Sequence, residues 1–396
     1  MIKQDRRHPA GWETIAHGTW LQGDKESAIA QLLAAINKRG EKKPLPLVIQ
    51  LAYDIASIGE YAGAAMFLGI ARADYPDNEE LLLNLGVCLT LSGQHEKSIE
   101  CANKLLTISP NNFAALDSLA HSLQKVGQLS AATEAGTKSL ALKDQMNADP
   151  IKGWTLPADS PVKWITAKKN VISFSLWGHN PRYLRGAIDN VLAAPAIYPG
   201  WALRFYVDDS VPTDMTNALE SLGAEVQLEK PDSSLVERLG WRFKVADDQK
   251  VGRFLVRDVD SVINARESRA VAQWVESDKW FHVMRDWWTH TDLILAGMWG
   301  GVAGVLPHMA SMLSTYSPSK METPNIDQLF LREKVWPFVR VSCLIHDRCF
   351  TPPGAIPWEK TQTEDTTHVG QDVYAAHRPA QEQRLAQWIS KLVSLS

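Results

Sequence analysis

The chain has 396 residues, of which 45% are hydrophobic and 22% charged, and this is enough for two to three folded domains. The composition excludes a disordered or collagen-like chain. The formal net charge of −4 argues against a general nucleic-acid binder, and four cysteines are too few for a disulfide scaffold, which favours reduced thiols in a cytoplasm.

The first fifteen residues are polar and charged where a secretory signal would be apolar. The longest uncharged apolar run covers residues 293–306, contains four glycines and is shorter than the stretch of about 18 to 20 residues that spans a bilayer. We therefore expect a cytoplasmic protein without a membrane span, in which this run contributes to core and loop.

A spacing of about 34 residues recurs through residues 1–146. Four glycines carry it: Gly23, Gly59, Gly93 and Gly127. A small residue follows each glycine five places on: Ala28, Ala64, Ser98 and Ala132. Another small residue stands seven places before each: Ala16, Ala52, Gly86 and Ala120. Paired helices approach closest where side chains are smallest, so the pattern predicts an all-α solenoid of tetratricopeptide type with about four units.

Such a solenoid presents a concave surface, which favours a protein partner or self-association as a homodimer. The alternative is a spacer that only positions the next domain. After the solenoid, residues 147–164 contain Pro150, Pro157 and Pro161, and proline disfavours helix in the residue before it. These residues are predicted to form an extended connector.

From residue 165 the sequence alternates between β-rich runs and helical segments of about ten residues. Strands are predicted at 171–176, 203–207, 224–228 and 253–257, and helices at 181–193, with Asn180 as N-cap, and 213–222. This alternation predicts an α/β domain with a mostly parallel sheet covered on both faces. In such sheets ligands bind off the carboxyl ends of the strands.

The sequence Arg-Asp-Val-Asp-Ser at 257–261 follows one of these strands. Asp258 and Asp260, two residues apart, can converge on one hard cation, and carboxylate ligands suit Mg²⁺ or Mn²⁺. Such an ion would hold a diphosphate and offset its charge as it leaves. The adjacent pair Asp208 and Asp209 also follows a strand, but neighbouring side chains point apart on an extended chain, so it is the weaker candidate.

Eight stretches between residues 172 and 347 resemble, in the same order, nucleotide-sugar-dependent glycosyltransferases of the A fold, and more narrowly a bacterial group with an RDxDS signature. They are ISFSLWG (172–178), YPGWALRFYVDDSVP (198–212), WRF (241–243), RDVDS (257–261), MRDWWTH (284–290), LAGMWG (295–300), DQLFL (327–331) and IHD (345–347). The resemblance implies a GT-A-type, Rossmann-like domain over residues 165–396. It implies transfer of a sugar, with Mn²⁺ or Mg²⁺, from a UDP-linked donor to a protein or glycan acceptor.

Tetratricopeptide arrays also precede transferases that glycosylate intracellular proteins. That class has a catalytic half with two Rossmann domains and no metal-binding DxD motif, for which this chain has no room.

The resemblance also implies roles at the donor site. Asp260 matches the direct metal ligand, and Asp258 matches a contact to ribose or to metal-bound water. Ser173, Phe174 and Leu176 match the strand that lines the base and ribose. Arg242 is expected near the diphosphate as a fixed charge. For a third metal ligand late in the chain, His346 fits the pattern best and His368 is second.

Acids in the matched stretches are candidates for catalysis. Asp327 is favoured for acceptor or general-base work and Asp286 for the hydroxyls of the donor sugar, although each would equally serve as a structural carboxylate. His290 fits either site. Trp299, with its neighbours Trp287 and Trp288, is expected to pack on sugar C–H faces.

Three alternatives remain open. A non-catalytic scaffold would combine partner-binding repeats with a degenerate transferase domain. A glycan hydrolase would use two carboxylates without a metal. The spacing of Cys343, His346 and Cys349 is that of a zinc site, although a fourth ligand is absent from its vicinity in the sequence.

Overall fold

The computed structural model describes residues 10–38, 43–149, 151–161, 168–231, 233–317, 325–359 and 368–372. The chain divides into two compact units, one ending at Lys143 and the other beginning at Asp144. Parts of the predicted connector (150 and 162–164) and of the predicted second domain, including its end at 373–396, lie outside the described residues. Over the described ranges, no helix has the length and apolar character needed to cross a membrane.

The first unit consists of helices that follow one another in pairs. They are α1 (Thr14–Leu21), α2 (Lys25–Asn37), α3 (Leu45–Ser57), α4 (Tyr61–Ala71), α5 (Glu79–Leu91), α6 (His95–Ile108), α7 (Phe113–Lys125) and α8 (Leu129–Met146). The loop inside each pair contains one of the four periodic glycines, whose φ angles lie between 78° and 94°. Side chains rarely tolerate this conformation, so glycine fixes the turn at the same point of every unit.

The small residues five places after these glycines are fully buried: Ala28, Ala64, Ser98 and Ala132 are each 0% exposed. The Ser98 hydroxyl lies 2.7 Å from that of Thr90, which in turn lies 3.2 Å from the hydroxyl of Ser122. These contacts join α5, α6 and α7 through groups that satisfy one another. The predicted helical repeat of four helix pairs is therefore confirmed.

Asp54 on α3 carries a buried carboxylate. It is 1% exposed, and among the described residues neither of its oxygens has a hydrogen-bond partner. Burial raises the pKa of Asp54 to about 7, because the charged form loses its hydration. Cys88 and Ser122 stand 34 and 68 residues further on, at the same position of the following repeats. The position therefore accepts a small, uncharged side chain.

Asp54→Ser is expected to stabilise the first unit at pH 8 by about 2 to 4 kcal/mol and to change little at pH 4. The folded-state pKa lies above the unfolded value, so the destabilising contribution of Asp54 is absent below about pH 4 and grows until about pH 7. Hydrogen exchange of α3 peptides in the full chain, measured across this range, reports the difference. A gain in stability that does not depend on pH would show that the charge of Asp54 is not its cause.

The second unit is built on one sheet of eight strands. They are β1 (Lys169–Leu176), β2 (Trp201–Val207), β3 (Glu225–Leu228), β4 (Val251–Arg257), β5 (Phe281–Arg285), β6 (Met298–Val302), β7 (Cys343–Asp347) and β8 (Ala355–Ile356). Their spatial order is β3-β2-β1-β4-β6-β5-β7-β8. Across the described sheet, β6 runs antiparallel to both of its neighbours and the other pairs are parallel. The predicted mostly parallel sheet is confirmed.

Helices and turns connect these strands. The helices are α9 (Pro181–Ile197), α10 (Thr213–Ser221), α11 (Leu235–Gly240), α12 (Ala265–Glu276), α13 (Met309–Thr315), α14 (Ile326–Phe330) and α15 (Trp336–Val339). Short 3₁₀ turns cover Trp241–Asp247 and Arg340–Ser342, and a π-helical turn covers Leu331–Val335. As predicted, Asn180 caps α9 by accepting a hydrogen bond from the Arg182 N–H at 3.1 Å. In the connector, Trp154 donates to the Val305 carbonyl at 2.8 Å, so this part packs on the second unit.

Candidate functional site

The strand order changes direction between β1 and β4. β2 and β3 follow on one side of β1, whereas β4 pairs on its other side. The loops that leave the carboxyl ends of two such strands diverge and open a crevice, which is the usual ligand position in open α/β sheets. β1 ends at Leu176 and β4 at Arg257, so Asp258 and Asp260 lie at the mouth of this crevice.

The loop that carries the two aspartates is held closely against α9. A Cβ atom on Gly186 would lie 2.0 Å from the Val259 carbonyl oxygen, so only glycine permits this approach. The Asn190 side-chain amide donates to the carbonyls of Val259 at 3.2 Å and Ser261 at 3.1 Å. On the other side, a Cβ on Gly297 would lie 2.0 Å from Asp258 Oδ2. The position of the loop is therefore set by its neighbours.

Arg242 links two of the predicted site residues. Its guanidinium pairs with Asp258 and, at 2.9 Å, with Asp327 Oδ2. It also donates to the Arg257 carbonyl oxygen at 3.2 Å. Asp258, Asp327 and Arg242 come from the β4 loop, α14 and a 3₁₀ turn, so the fold brings together residues that lie up to 85 positions apart.

Two serines of β1 support Arg242. The Ser173 hydroxyl donates to the Arg242 carbonyl oxygen at 2.8 Å, and the Ser175 hydroxyl accepts from the Arg242 N–H at 3.0 Å. Ser173, Phe174 and Leu176 are buried, as is Trp299. In this structure these four predicted donor contacts therefore belong to the core, and the part of Ser173 is to position Arg242.

Asp260 is paired with Arg182, from the first turn of α9. The same guanidinium lies 2.7 Å from Asp372 Oδ2. Burial raises the pKa of Asp260, and the nearby charge of Asp258 raises it further. Burial also raises the pKa of Asp327, against the opposing effect of Arg242. Two guanidinium groups thus face four carboxylates, which leaves an excess of two negative charges when all six are ionised.

This donor set fits a hard divalent cation in its chemistry, because carboxylate oxygens are the ligands of Mg²⁺ and Mn²⁺. Within the described part of the chain, however, no three His, Cys, Asp or Glu side chains are arranged so that they could hold a metal ion. Arg182 lies between Asp260 and Asp372, where it supplies positive charge. The carboxylate ligands are present, but Asp260 is already paired with the Arg182 guanidinium.

His346, the predicted third metal ligand, lies elsewhere. On β7 its Nδ1 is 2.8 Å from His282 Nε2, and its Nε2 is 2.7 Å from Gln273 Oε1. Burial lowers the pKa of His346 to about 4, so the ring is neutral at physiological pH. Since both ring nitrogens are engaged in the domain interior, the structure does not bring His346 to the two aspartates. Nor does it gather Cys343, His346 and Cys349 into a zinc site.

The second histidine candidate belongs to a short segment, residues 368–372, that contacts the end of β5 and the first turn of α9. His368 stacks on Trp287 with ring centroids 5.0 Å apart. The Val369 N–H donates to Asp286 Oδ2 at 2.8 Å, and Asp372 reaches Arg182. The segment therefore delivers a carboxylate, rather than the predicted histidine, to the neighbourhood of Asp260.

Asp286 and His290 are placed together at the end of β5. Asp286 is fully buried, and its Oδ2 accepts from Arg266 at 2.8 Å. His290 Nδ1 accepts from the Asp286 N–H at 2.9 Å, and burial lowers the pKa of His290 to about 3. Both residues thus help to hold the β5 loop, and the second oxygen of Asp286, Oδ1, lies 3.6 Å from Arg348 Nη1.

Sequence reasoning missed Arg182 and Asp372. Arg182 could have been found from the sequence, because it lies in the first turn of the helix that follows β1, and that end of the helix borders the crevice. Asp372 had none, since no strand, helix or motif in the sequence marks it. The rival candidate Asp208 is buried and pairs with Arg238 at 3.0 Å, which explains it as a structural carboxylate.

No family model matches the chain, and no curated protein matches it. Among solved structures, an O-GlcNAc transferase mutant from Thermobaculum terrenum is 18% identical, with 61% of this chain and 44% of that chain covered and a TM-score of 0.37. MamA from Desulfovibrio magneticus RS-1 is 20% identical over 32% of this chain and 71% of that chain, at a TM-score of 0.30. YrrB, described as a TPR protein with an unusual peptide-binding site, is 14% identical over 32% of this chain and 64% of that chain, at 0.29.

Proposed function

We propose that the second unit is a cytoplasmic, metal-dependent glycosyltransferase of GT-A type that uses a nucleoside-diphosphate sugar with UDP as its nucleotide. One observation carries the proposal: Asp258 and Asp260 follow β4 at the crevice beside β1, in a carboxylate cluster with an excess of negative charge. The ordered sequence resemblance between residues 172 and 347 supports it, because RDVDS occupies this point of the fold.

Asp258 and Asp260 would hold Mn²⁺ or Mg²⁺, which when bound would offset the charge of the leaving diphosphate. Arg242, fixed by two carboxylates and by β1, keeps a permanent positive charge beside Asp258. Asp327 shares that arginine, and burial raises its pKa, which makes its carboxylate a stronger base toward the acceptor hydroxyl. Asp286 would act indirectly, by fixing the β5 loop.

The helical repeat would recruit a protein or glycan acceptor, or mediate assembly as a homodimer. A groove of about 570 Å³ between α4, α5 and α6 supports a partner-binding role, since Arg72 and Lys97 line it together with the half-exposed side chain of Met66. The same groove is the observation that favours the second candidate function. In that case the repeats bind partners and the sheet domain is a non-catalytic scaffold.

A thermal-shift panel of nucleotide sugars, with Mn²⁺ or with a chelator, separates the two functions. For a transferase, one donor class at about 100 times its Kd is expected to add about 2.7 kcal/mol and to raise Tm by about 5 to 10 °C with Mn²⁺. The chelator is expected to remove this shift. If no nucleotide sugar raises Tm under either condition, the scaffold is the better description.

A further inference from the structure

We infer that Arg182 is an exchangeable counter-cation of the metal site, which neutralises Asp260 and Asp372 without metal and turns to the donor diphosphate when a divalent cation takes its place. This inference rests on the proposed function. It concerns a residue that the sequence resemblance did not mark. The observations that carry it are the contacts, the exposure and the position of this one side chain.

The two arginines of the cluster are held very differently. Arg242 is buried, with a side chain 5% exposed, and is bonded to two carboxylates and a carbonyl oxygen. The side chain of Arg182 is 32% exposed and contacts Asp260 and Asp372, with the Tyr183 ring 5.0 Å away. Its Nε is buried and, among the described residues, has no hydrogen-bond partner. Arg182 is therefore the guanidinium that can leave at lower cost.

Electrostatics make the two occupants exclusive. A divalent cation bound by Asp260 would lie within a few ångströms of the guanidinium that pairs with the same carboxylate, and like charges at that separation repel. Removal of the guanidinium also leaves the carboxylates with a larger negative charge. The loss of Arg182 should therefore strengthen metal binding, which is the opposite of what a metal-supporting residue would do.

The position of Arg182 gives the displaced side chain a destination. It is the second residue of α9, the helix that follows β1 at the crevice. The positive end of the helix dipole favours an anion, and a guanidinium binds phosphate oxygens in a bidentate manner. A diphosphate brought to Asp258 and Asp260 would lie near this helix end. The loss of Arg182 should therefore weaken nucleotide binding at saturating metal.

The test measures the affinities of the Arg182→Gln variant for Mn²⁺ and for UDP. Mn²⁺ binding to the full chain without nucleotide, followed by electron paramagnetic resonance, is expected to tighten about tenfold, which corresponds to about 1.4 kcal/mol. UDP binding at saturating Mn²⁺, measured by calorimetry, is expected to weaken about tenfold. Arg185→Gln is the matched control, because Arg185 lies on the same helix and pairs with Asp189. It is expected to leave both values at the wild-type level.

Tighter Mn²⁺ binding together with weaker UDP binding is a specific result, because a folding defect would weaken the binding of both ligands. Arg182→Lys, which keeps the charge, is expected to restore most of the wild-type Mn²⁺ affinity. Unchanged or weaker Mn²⁺ binding by Arg182→Gln would overturn the inference while leaving the metal site intact. Absence of Mn²⁺ binding to the wild type and the variant, with and without UDP, would instead overturn the metal-dependent function on which the inference rests.

Discussion

Arg242→Gln is expected to lower the free energy of unfolding of the second unit by about 3 to 5 kcal/mol and to abolish donor binding. The guanidinium is the shared partner of Asp258 and Asp327. Glutamine would leave two carboxylates near each other without a positive charge between them, and the buried Asp327 has little access to water. Breaking a buried pair by removing one partner costs far more than losing a surface ion pair.

Urea unfolding followed by tryptophan fluorescence measures this loss, because 13 of the 15 tryptophans lie at or beyond Trp154. Arg269→Gln is the matched control: Arg269 pairs with Glu359 at 3.4 Å with both side chains exposed, and its loss is expected to cost less than about 1 kcal/mol. Acidification should reduce the defect of Arg242→Gln, since protonation removes the charge of the unpaired carboxylates. A defect of equal size at pH 4 and pH 8 would indicate lost packing instead.

The helical repeat could be predicted from the sequence because its determinants are local. Gly23 and Ala28 are five residues apart, and their spacing alone states that a tight turn precedes a close helix contact. The strands of the parallel half followed from short β-rich runs for the same reason. Each of these inferences depends on residues within about one turn or one strand of each other.

The apolar run at 293–306 shows a limit of local reasoning, because its sequence predicts core and loop but no particular strand. Gly300 and Gly301 lie on β6, where a Cβ on Gly300 would stand 2.5 Å from the Phe254 carbonyl oxygen. The close approach is made by the chain's own β4. A single sequence does not state which surface a glycine faces.

The candidate site was predictable only where its residues lie close together in the sequence. Asp258 and Asp260 follow a strand, and chemistry alone marks such a pair. The ion pair of Arg242 with Asp327 spans 85 residues, and Asp372 lies more than 100 residues beyond Asp260. His346 fitted the expected pattern by its place in the chain, yet its ring faces Gln273 on α12. Contacts at this separation depend on the register of the whole sheet, which short-range patterns do not determine.

Asp260→Asn is expected to reduce metal-dependent donor turnover by about 10³-fold, because the charge that holds the metal and offsets the leaving diphosphate would be lost. The substitution keeps the size of the side chain and relieves its repulsion with Asp258, which contributes to the raised pKa of Asp260. The unfolding free energy without ligand is therefore expected to remain within about 1 kcal/mol of the wild-type value.

Release of UDP from the donor that stabilises the protein, assayed with Mn²⁺, measures this effect. Asp209→Asn is the matched control, because Asp209 also follows a parallel strand but is exposed. It removes the same charge at another strand end and is expected to retain full turnover. If Asp260→Asn keeps its activity, the cation is not held by this carboxylate, and Arg182 would supply the charge at the diphosphate. If both variants lose activity equally, the effect belongs to the overall charge of the domain.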